Sequence, residues 1–344
     1  MKDFQLDLSV IVCCYNSAQR IRPTLEHLAK QNTTNFLKWE VIVVDNNSND
    51  GTSELVFQIW EELKSDIAFK VVYENRPGLS NARKKGILSA NGEILIFCDD
   101  DNWFEEHYVQ IAYNLMSEDN SIGMLGGIGQ EVIGGDKPTW FENVKLAYAV
   151  GPQNDVDGDI TFIKGYVYGA GSIVRKSVLF NIYEKGFINQ LTDRIGKVLV
   201  SGGDNEIGYM IALSGFKIYY SSKLKFKHYL PESRLMVSYL CRLAKGKQLT
   251  CYKIRCYEKY VLNKQFQFPE NRFRGFKKSI IEMLKLLIRF ILNKISYFEF
   301  KISFIQIFYE SFYLLLYYNQ FKSEILLVMK NIQLYKDDMS RSYF

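Results

Sequence analysis

Apolar runs and polar breaks take turns through the first hundred residues. Residues 8–14 are an apolar run that ends in the polar turn Tyr15, Asn16, Ser17, and a helical stretch then reaches about residue 31. Residues 39–44 are apolar again and end in DNNSNDGT (45–52), which opens a helix over 53–64. A short strand at 70–73 follows, and PGLS (77–80) opens a helix over 81–90. Short continuous runs of β-branched and aliphatic residues suit strands buried on both faces. Strand and helix in alternation predict the α/β class, a mostly parallel sheet with helices on both sides.

The chain is organised around NGEILIFCDDDNW (91–103). Residues 94–98 read as the central buried strand, and Asp99, Asp100 and Asp101 follow at its C-terminal edge. Ligands of open α/β sheets bind at that edge. Three adjacent carboxylates raise one another's pKa unless a cation or donors compensate. The simplest compensation is a hard divalent ion, with phosphate oxygens on its remaining positions. One Asp would serve as a helix cap; three after a buried strand point to metal and phosphate. Asp45 ends another strand, and sheet topology gathers such ends in one crevice. A nucleotide fits there. Asp45 can accept from a base or ribose, Tyr15 can pack on the base, and Arg83 can approach the base or the diphosphate. The competing role for Asp45 is a turn residue that uses its side chain locally.

The glycine pairs at 127/129 and 169/171 do not complete a dinucleotide fingerprint, so close backbone approach explains them better. Phe141 reads as core, while Trp140 is open between core and sugar stacking. Residues 154–159 form a polar loop, a candidate for mobility over the site. Residues 217–221 read as a strand, with His228 beyond it. His27 and His107 lie on helical surfaces.

LSVIVCCYN, VIVVDNNSNDGT, PGLSNARKKGILSANGEILIFCDDDN, GAGSIVRKSVL and SGGDNEIGYMIALSGFKIYY, in that order, resemble glycosyltransferase family 2. The match covers about residues 8–230. The resemblance implies a GT-A (Rossmann-like) fold and, typically, inverting transfer of a hexosyl group from a nucleotide-diphosphate sugar. It implies a DxD site at Asp99–Asp101, with Asp101 the metal ligand and Asp99 or Asp100 near ribose and diphosphate. Asp45 matches the nucleobase contact, and Tyr15 and Arg83 match positions lining the nucleotide. Asp204 matches the general base, with Glu206 as the alternative; Gly203 stands where the family usually has Glu. His228 matches a residue that completes the metal site or touches the diphosphate. The ion implied is manganese or magnesium. Family habit favours UDP, with GDP and dTDP as alternatives. Cys13 and Cys14 replace a common Pro or Thr, which removes any hydroxyl contact there. At a helix N-terminus, the dipole is expected to lower the pKa of Asp204.

Charge divides the chain. From residue 217 onward, 24 Lys and Arg face 9 Asp and Glu, whereas the first 216 residues carry 19 against 29. Aromatic residues make up 15% of the chain, and much of that excess lies late. Residues 276–296 read as a helix with one narrow polar stripe, and 302–321 carry a single charge, Glu310. No stretch of about 18 apolar residues is free of charge, so an interfacial helix with Lys and Arg toward anionic headgroups fits better than a spanning one. A helical subdomain packed on the enzyme or on a second copy is the competing reading. Arg234 and Lys245–Lys247 either hold phosphate or face water, and the second is expected. The division expected is 1–230, a catalytic domain with a nucleotide-sugar half (about 1–105) and an acceptor half (about 106–230), then 231–344, a basic helical region.

Six cysteines form no CxxC pair and no zinc-finger spacing, which implies a reducing cytoplasmic setting. The first residues lack the layout of a signal peptide. No nucleic-acid module is visible. The function expected is a metal-dependent glycosyltransferase of cell-surface polysaccharide synthesis, peripheral on the cytoplasmic face, with a glycan or lipid-linked acceptor. The rivals are a carbohydrate-binding or scaffold protein of a membrane complex, which Asp99–Asp101 and Asp204 oppose, and a sugar nucleotidyltransferase. The latter needs a glycine-rich basic loop where this chain has Cys14, Tyr15, Asn16 and Ser17.

Overall fold

This computed structural model describes residues 6–191, 193–194 and 199–342; residues 1–5, part of the start read above as lacking a signal peptide, lie outside them. The first half follows the alternation of the sequence: β1 (Leu6–Cys14), α1 (Ile21–Ala29), β2 (Trp39–Asp45), α2 (Thr52–Leu63), β3 (Ala68–Tyr73), α3 (Leu79–Ser89) and β4 (Gly92–Asp99). These four strands are parallel, with β1 between β2 and β4. Each expected element is present, and the ends move by a residue or two, as frayed termini do.

Side chains alternate across these strands. Leu8, Val10 and Val12 of β1 face one core with Val41, Val43, Ile94 and Ile96, closed by Ile21, Leu25, Val56 and Ile59 of α1 and α2. Ile11, Ile42, Val44, Leu95 and Phe97 face the other core. Burial on both faces explains the unbroken apolar runs.

The second half is β5 (Asn102–Phe104), α4 (Tyr108–Glu118), β6 (Ile122–Gly134), two 3₁₀ turns (Phe141–Asn143 and Lys145–Tyr148), β7 (Gly158–Asp159), β8 (Ile173–Arg175), α5 (Lys176–Glu184), α6 (Gly203–Leu213) and β9 (Lys217–Pro231). The strand order is β3-β2-β1-β4-β8-β6-β9-β5, with β7 on β9. Here the sheet is mixed, because β8 runs antiparallel to both β4 and β6, and β5 antiparallel to β9. The expected 217–221 strand is longer than its apolar start and includes His228. Gly127 allows close approach, as expected: a Cβ there would sit 2.0 Å from the Leu224 carbonyl oxygen. The 154–159 loop is tied down rather than loose over the site. Asp157 accepts from Ser221 and Ser222, and Gly158 and Asp159 pair with β9. Phe141 is buried, and Trp140 stacks on Phe298 at 5.3 Å.

The rest is helical: α7 (Val237–Gln248), α8 (Cys251–Val261), α9 (Arg272–Ile291) and α10 (Tyr297–Ser342), which breaks at Tyr317. Leu314, Tyr318, Phe321, Ile325 and Val328 of α10 join the core that α6 and α8 share. The C-terminal part of 302–321 thus packs on the body, as the competing reading of a packed helical subdomain expects, whereas its start does not join that core. Among the described residues no helix is long and apolar enough to cross a membrane.

Candidate active site

A cleft of about 450 Å³ opens at the C-terminal edges of β1 and β4. Register sets its floor: Cys13 of β1 lies opposite Asp99, and Cys14 lies opposite Asp45. Tyr15, Arg83, Asp99, Asp100, Asp101, Asp204 and His228 all line it. Seven of the eight residues singled out from the sequence therefore meet in one place. Asp45 is the exception. Its carboxylate is buried and accepts from the Ser48 N–H (3.0 Å) and the Ser53 hydroxyl, the local turn role. Asn46 and Asn47 present themselves to the cleft instead. The Asn46 side chain also fixes the next loop, accepting from Gly78 N and donating to the Arg76 carbonyl, both at 2.7 Å.

The three aspartates have three environments. Asp99 lines the cleft at the end of β4. Asp100 is buried, accepts from the Ser17 hydroxyl and pairs with Arg20 at 2.7 Å. Burial and the charge of Asp101 push its pKa up, while Arg20 and Ser17 oppose that rise. Asp101 shows the opposite sign. Burial would raise its pKa, but the Arg234 guanidinium at 2.8 Å and His228 hold it well below the carboxylate range. Arg234 therefore does not face water; it is the cation compensating the acidic cluster.

His228 is oriented by its other nitrogen. Nδ1 lies 2.8 Å from the Tyr148 carbonyl oxygen, which can only accept, so Nδ1 carries the hydrogen. Nε2 then lies 3.4 Å from Asp101 Oδ1 and 3.4 Å from Arg234 Nη1. An imidazole nitrogen and a carboxylate oxygen suit manganese and its neighbours in the first transition row. The residues thus fit a divalent ion held by two protein ligands, with phosphate oxygens or water for the rest. Among the described residues no group of three or more His, Cys, Asp or Glu is placed to hold a metal ion.

Across the cleft, Asp204 sits one residue inside α6. It accepts from Gly169 N (2.9 Å) and Asn205 N (3.0 Å). The expected lowering of its pKa is reversed. Burial and the charge of Asp193 raise it, against Arg83 and the two N–H donors. Arg83 forms a 2.7 Å pair with Asp193 and lies half-buried near Asp193, Asp99 and Asp204, which together hold it charged. Gly169 makes this possible, since a Cβ there would lie 2.6 Å from the Arg83 guanidinium. Glu206, the alternative base, is fully buried away from the cleft. It accepts from Gln190 N, Leu191 N and the Tyr257 hydroxyl, and burial raises its pKa to about 7.

Arg20, Asp193 and the buried role of Arg234 were not read from the sequence. Each pairs with a residue 80 or more positions away, so no local spacing marks it. One signal was available for His228. KLKFKHYL (223–230) alternates lysine with apolar residues, which continues the strand and puts His228 on its inner face.

A family model described as "Glycosyl transferase family 2" matches residues 9–180. The "Cholesterol galactosyltransferase" of Borreliella burgdorferi is 34% identical over 116 residues, 33% of this chain and 30% of that protein. The chain spans well under half the length of the curated relatives it matches. Two solved structures share the fold. S. aureus TarS 1-349 in complex with UDP-GlcNAc has a TM-score of 0.53 at 17% identity, covering 92% of each chain. The mannosyltransferase PcManGT of Pyrobaculum calidifontis, in complex with GDP-Man and Mn2+, has a TM-score of 0.56 at 17% identity, covering 92% of this chain and 90% of that one.

Proposed function

This chain belongs to glycosyl transferase family 2, and we propose that it moves a sugar from a nucleotide-diphosphate sugar to a hydroxyl of a glycan or lipid-linked acceptor, with inversion. The observation that carries the reading is the pairing of Asp99–Asp101 on one side of the cleft with Asp204 on the other. The donor's base lies by Tyr15 and the Asn46–Asn47 turn, with Asp45 shaping that turn from beneath. UDP is favoured, and GDP and dTDP are the alternatives. Arg20 and Ser17 fix Asp100. Arg83 stays charged beside Asp99 and Asp204 and faces the diphosphate side. Asp101 and His228 would hold a divalent ion, manganese or magnesium, whose charge compensates the leaving diphosphate.

The acceptor enters on the side of Asp204, where Tyr166 and Tyr168 line the cleft. Asp204 accepts the proton of the acceptor hydroxyl. The oxygen then forms its bond to the anomeric carbon, and the bond from that carbon to the diphosphate breaks. A carboxylate with a raised pKa is a better base than an exposed one, so burial here serves the chemistry.

Two halves, about 1–105 and 106–230, divide donor and acceptor in this reading, and the region from 231 attaches the enzyme to a membrane surface. Six free cysteines agree with a cytoplasmic setting. Cell-surface polysaccharide synthesis is the role this implies. The test is nucleoside diphosphate release from UDP- and GDP-sugars with manganese, in the presence of acceptor. Asp204→Asn should lower transfer about 10²–10⁴-fold and leave donor binding intact. Full activity in that variant would overturn the assignment.

A further inference from the structure

The hairpin of α9 and α10 carries an apolar surface that the body does not cover. α9 turns Gly275 and Leu286 inward, with Ser279, Met283 and Phe290 half-buried on the same side. At about 100° per residue, the opposite side carries Ile280, Ile281, Leu284, Leu287, Ile288 and Ile291. All six are exposed, Ile288 at 55% and Ile291 at 67%. Phe304, Phe308 and Phe312, also exposed, stack ring on ring along the start of α10. Single exposed aliphatics are ordinary, but a continuous face of them marks an interaction site.

Charge names the partner. Residues 272–301 hold eight Lys and Arg against two Glu. Lys278, Lys285 and Arg289 run along one flank of the apolar face, and Glu282 on that flank pairs with Lys285. A second copy meeting this face about a two-fold axis would bring the same cations together, which opposes association. An anionic headgroup layer over an apolar interior matches both features. The helix is about 30 Å long, yet its charges rule it out as a span, so it lies in the plane of the interface.

We infer that α9 and the first turns of α10, residues 277–312, form the docking face for an anionic lipid bilayer. The inference rests on the reading that the C-terminal region meets a membrane, and it names the residues and the lipid charge. The face ends where Tyr313 and Leu314 turn into the body. The hairpin is also tied to the cleft. Phe298 stacks on Trp140, and both pack with Ile302, Val144 and Ala147 against the cluster that holds Phe141 and Tyr148; the 146–148 segment lines the cleft wall. Docking therefore sets this wall of the cleft next to the lipid.

The test is flotation of the full chain with vesicles of phosphatidylcholine alone or mixed with phosphatidylglycerol. The chain should float with the anionic vesicles and be released as salt rises. Leu284→Glu with Ile288→Glu should abolish flotation while the thermal shift with UDP and manganese stays that of the parent. Lys278→Gln with Arg289→Gln should lower partitioning on the order of tenfold or more, since each surface cation contributes about fivefold. Equal flotation of the Leu284→Glu/Ile288→Glu protein would overturn the inference. So would no flotation together with a dimer that those two substitutions disperse. Flotation without any nucleotide shift would leave the docking face standing and defeat the catalytic reading instead.

Discussion

Arg234 donates to Asp101 at 2.8 Å, and the same guanidinium nitrogen lies 3.4 Å from Nε2 of His228. The protein's own cation therefore neutralises the carboxylate that the family pattern assigns to a metal. An ion held by Asp101 and His228 would meet the Arg234 guanidinium as a competing cation beside the same carboxylate.

That competition has a measurable sign. Arg234→Gln breaks a buried pair, which costs about 3–5 kcal/mol, and it frees Asp101 for an ion. The rise in thermal midpoint on adding manganese should be larger in the variant than in the parent. An equal or smaller rise would mean that Arg234 does not hold the ion's place.

The pH profile should report Asp204. A base must be ionised to work, and burial with Asp193 raises its pKa. The acid limb of kcat/KM should therefore lie above the ordinary carboxylate range. Asp193→Asn removes a charge that raises this pKa and leaves Arg83 closer in effect to Asp204, so the limb should move to lower pH. A limb that moves up, or stays in place, would remove Asp193 from this role.

Glu206 should matter to stability and not to chemistry. Its folded pKa of about 7 exceeds the ordinary 4.5. The folded form thus favours the proton, and this group's contribution is full below pH 4.5 and lost as pH rises through 7. Glu206→Gln turns an amide toward donors and should cost about 1–3 kcal/mol in urea unfolding, with kcat retained. Loss of kcat at unchanged donor binding would reopen Glu206 as the base.

The same pair of residues shows what the sequence can and cannot display. Asp204 and Glu206 are two apart on one helix, and such residues do not share a face. Only the choice of which face meets the cleft decides between them, and that depends on packing against Leu191 and Tyr257, far away in sequence. The strands of the first half were legible because both their faces are buried. Asp99–Asp101 were legible because strand ends gather ligands. The cations that answer them, Arg20 and Arg234, come from elements whose approach no spacing records. Asp45 shows the converse: its position at a strand end was right, yet Ser48 and Ser53 take both oxygens.

The most direct measurement is the thermal midpoint of the full chain against UDP, GDP and dTDP, each with and without manganese. One nucleotide should raise the midpoint only with metal, by the equivalent of about 2.7 kcal/mol at a hundredfold excess over its dissociation constant. Asp101→Ala should lose that shift. No shift with any nucleotide, or a shift unchanged in Asp101→Ala, would contradict the account of the cleft as a metal-assisted donor site.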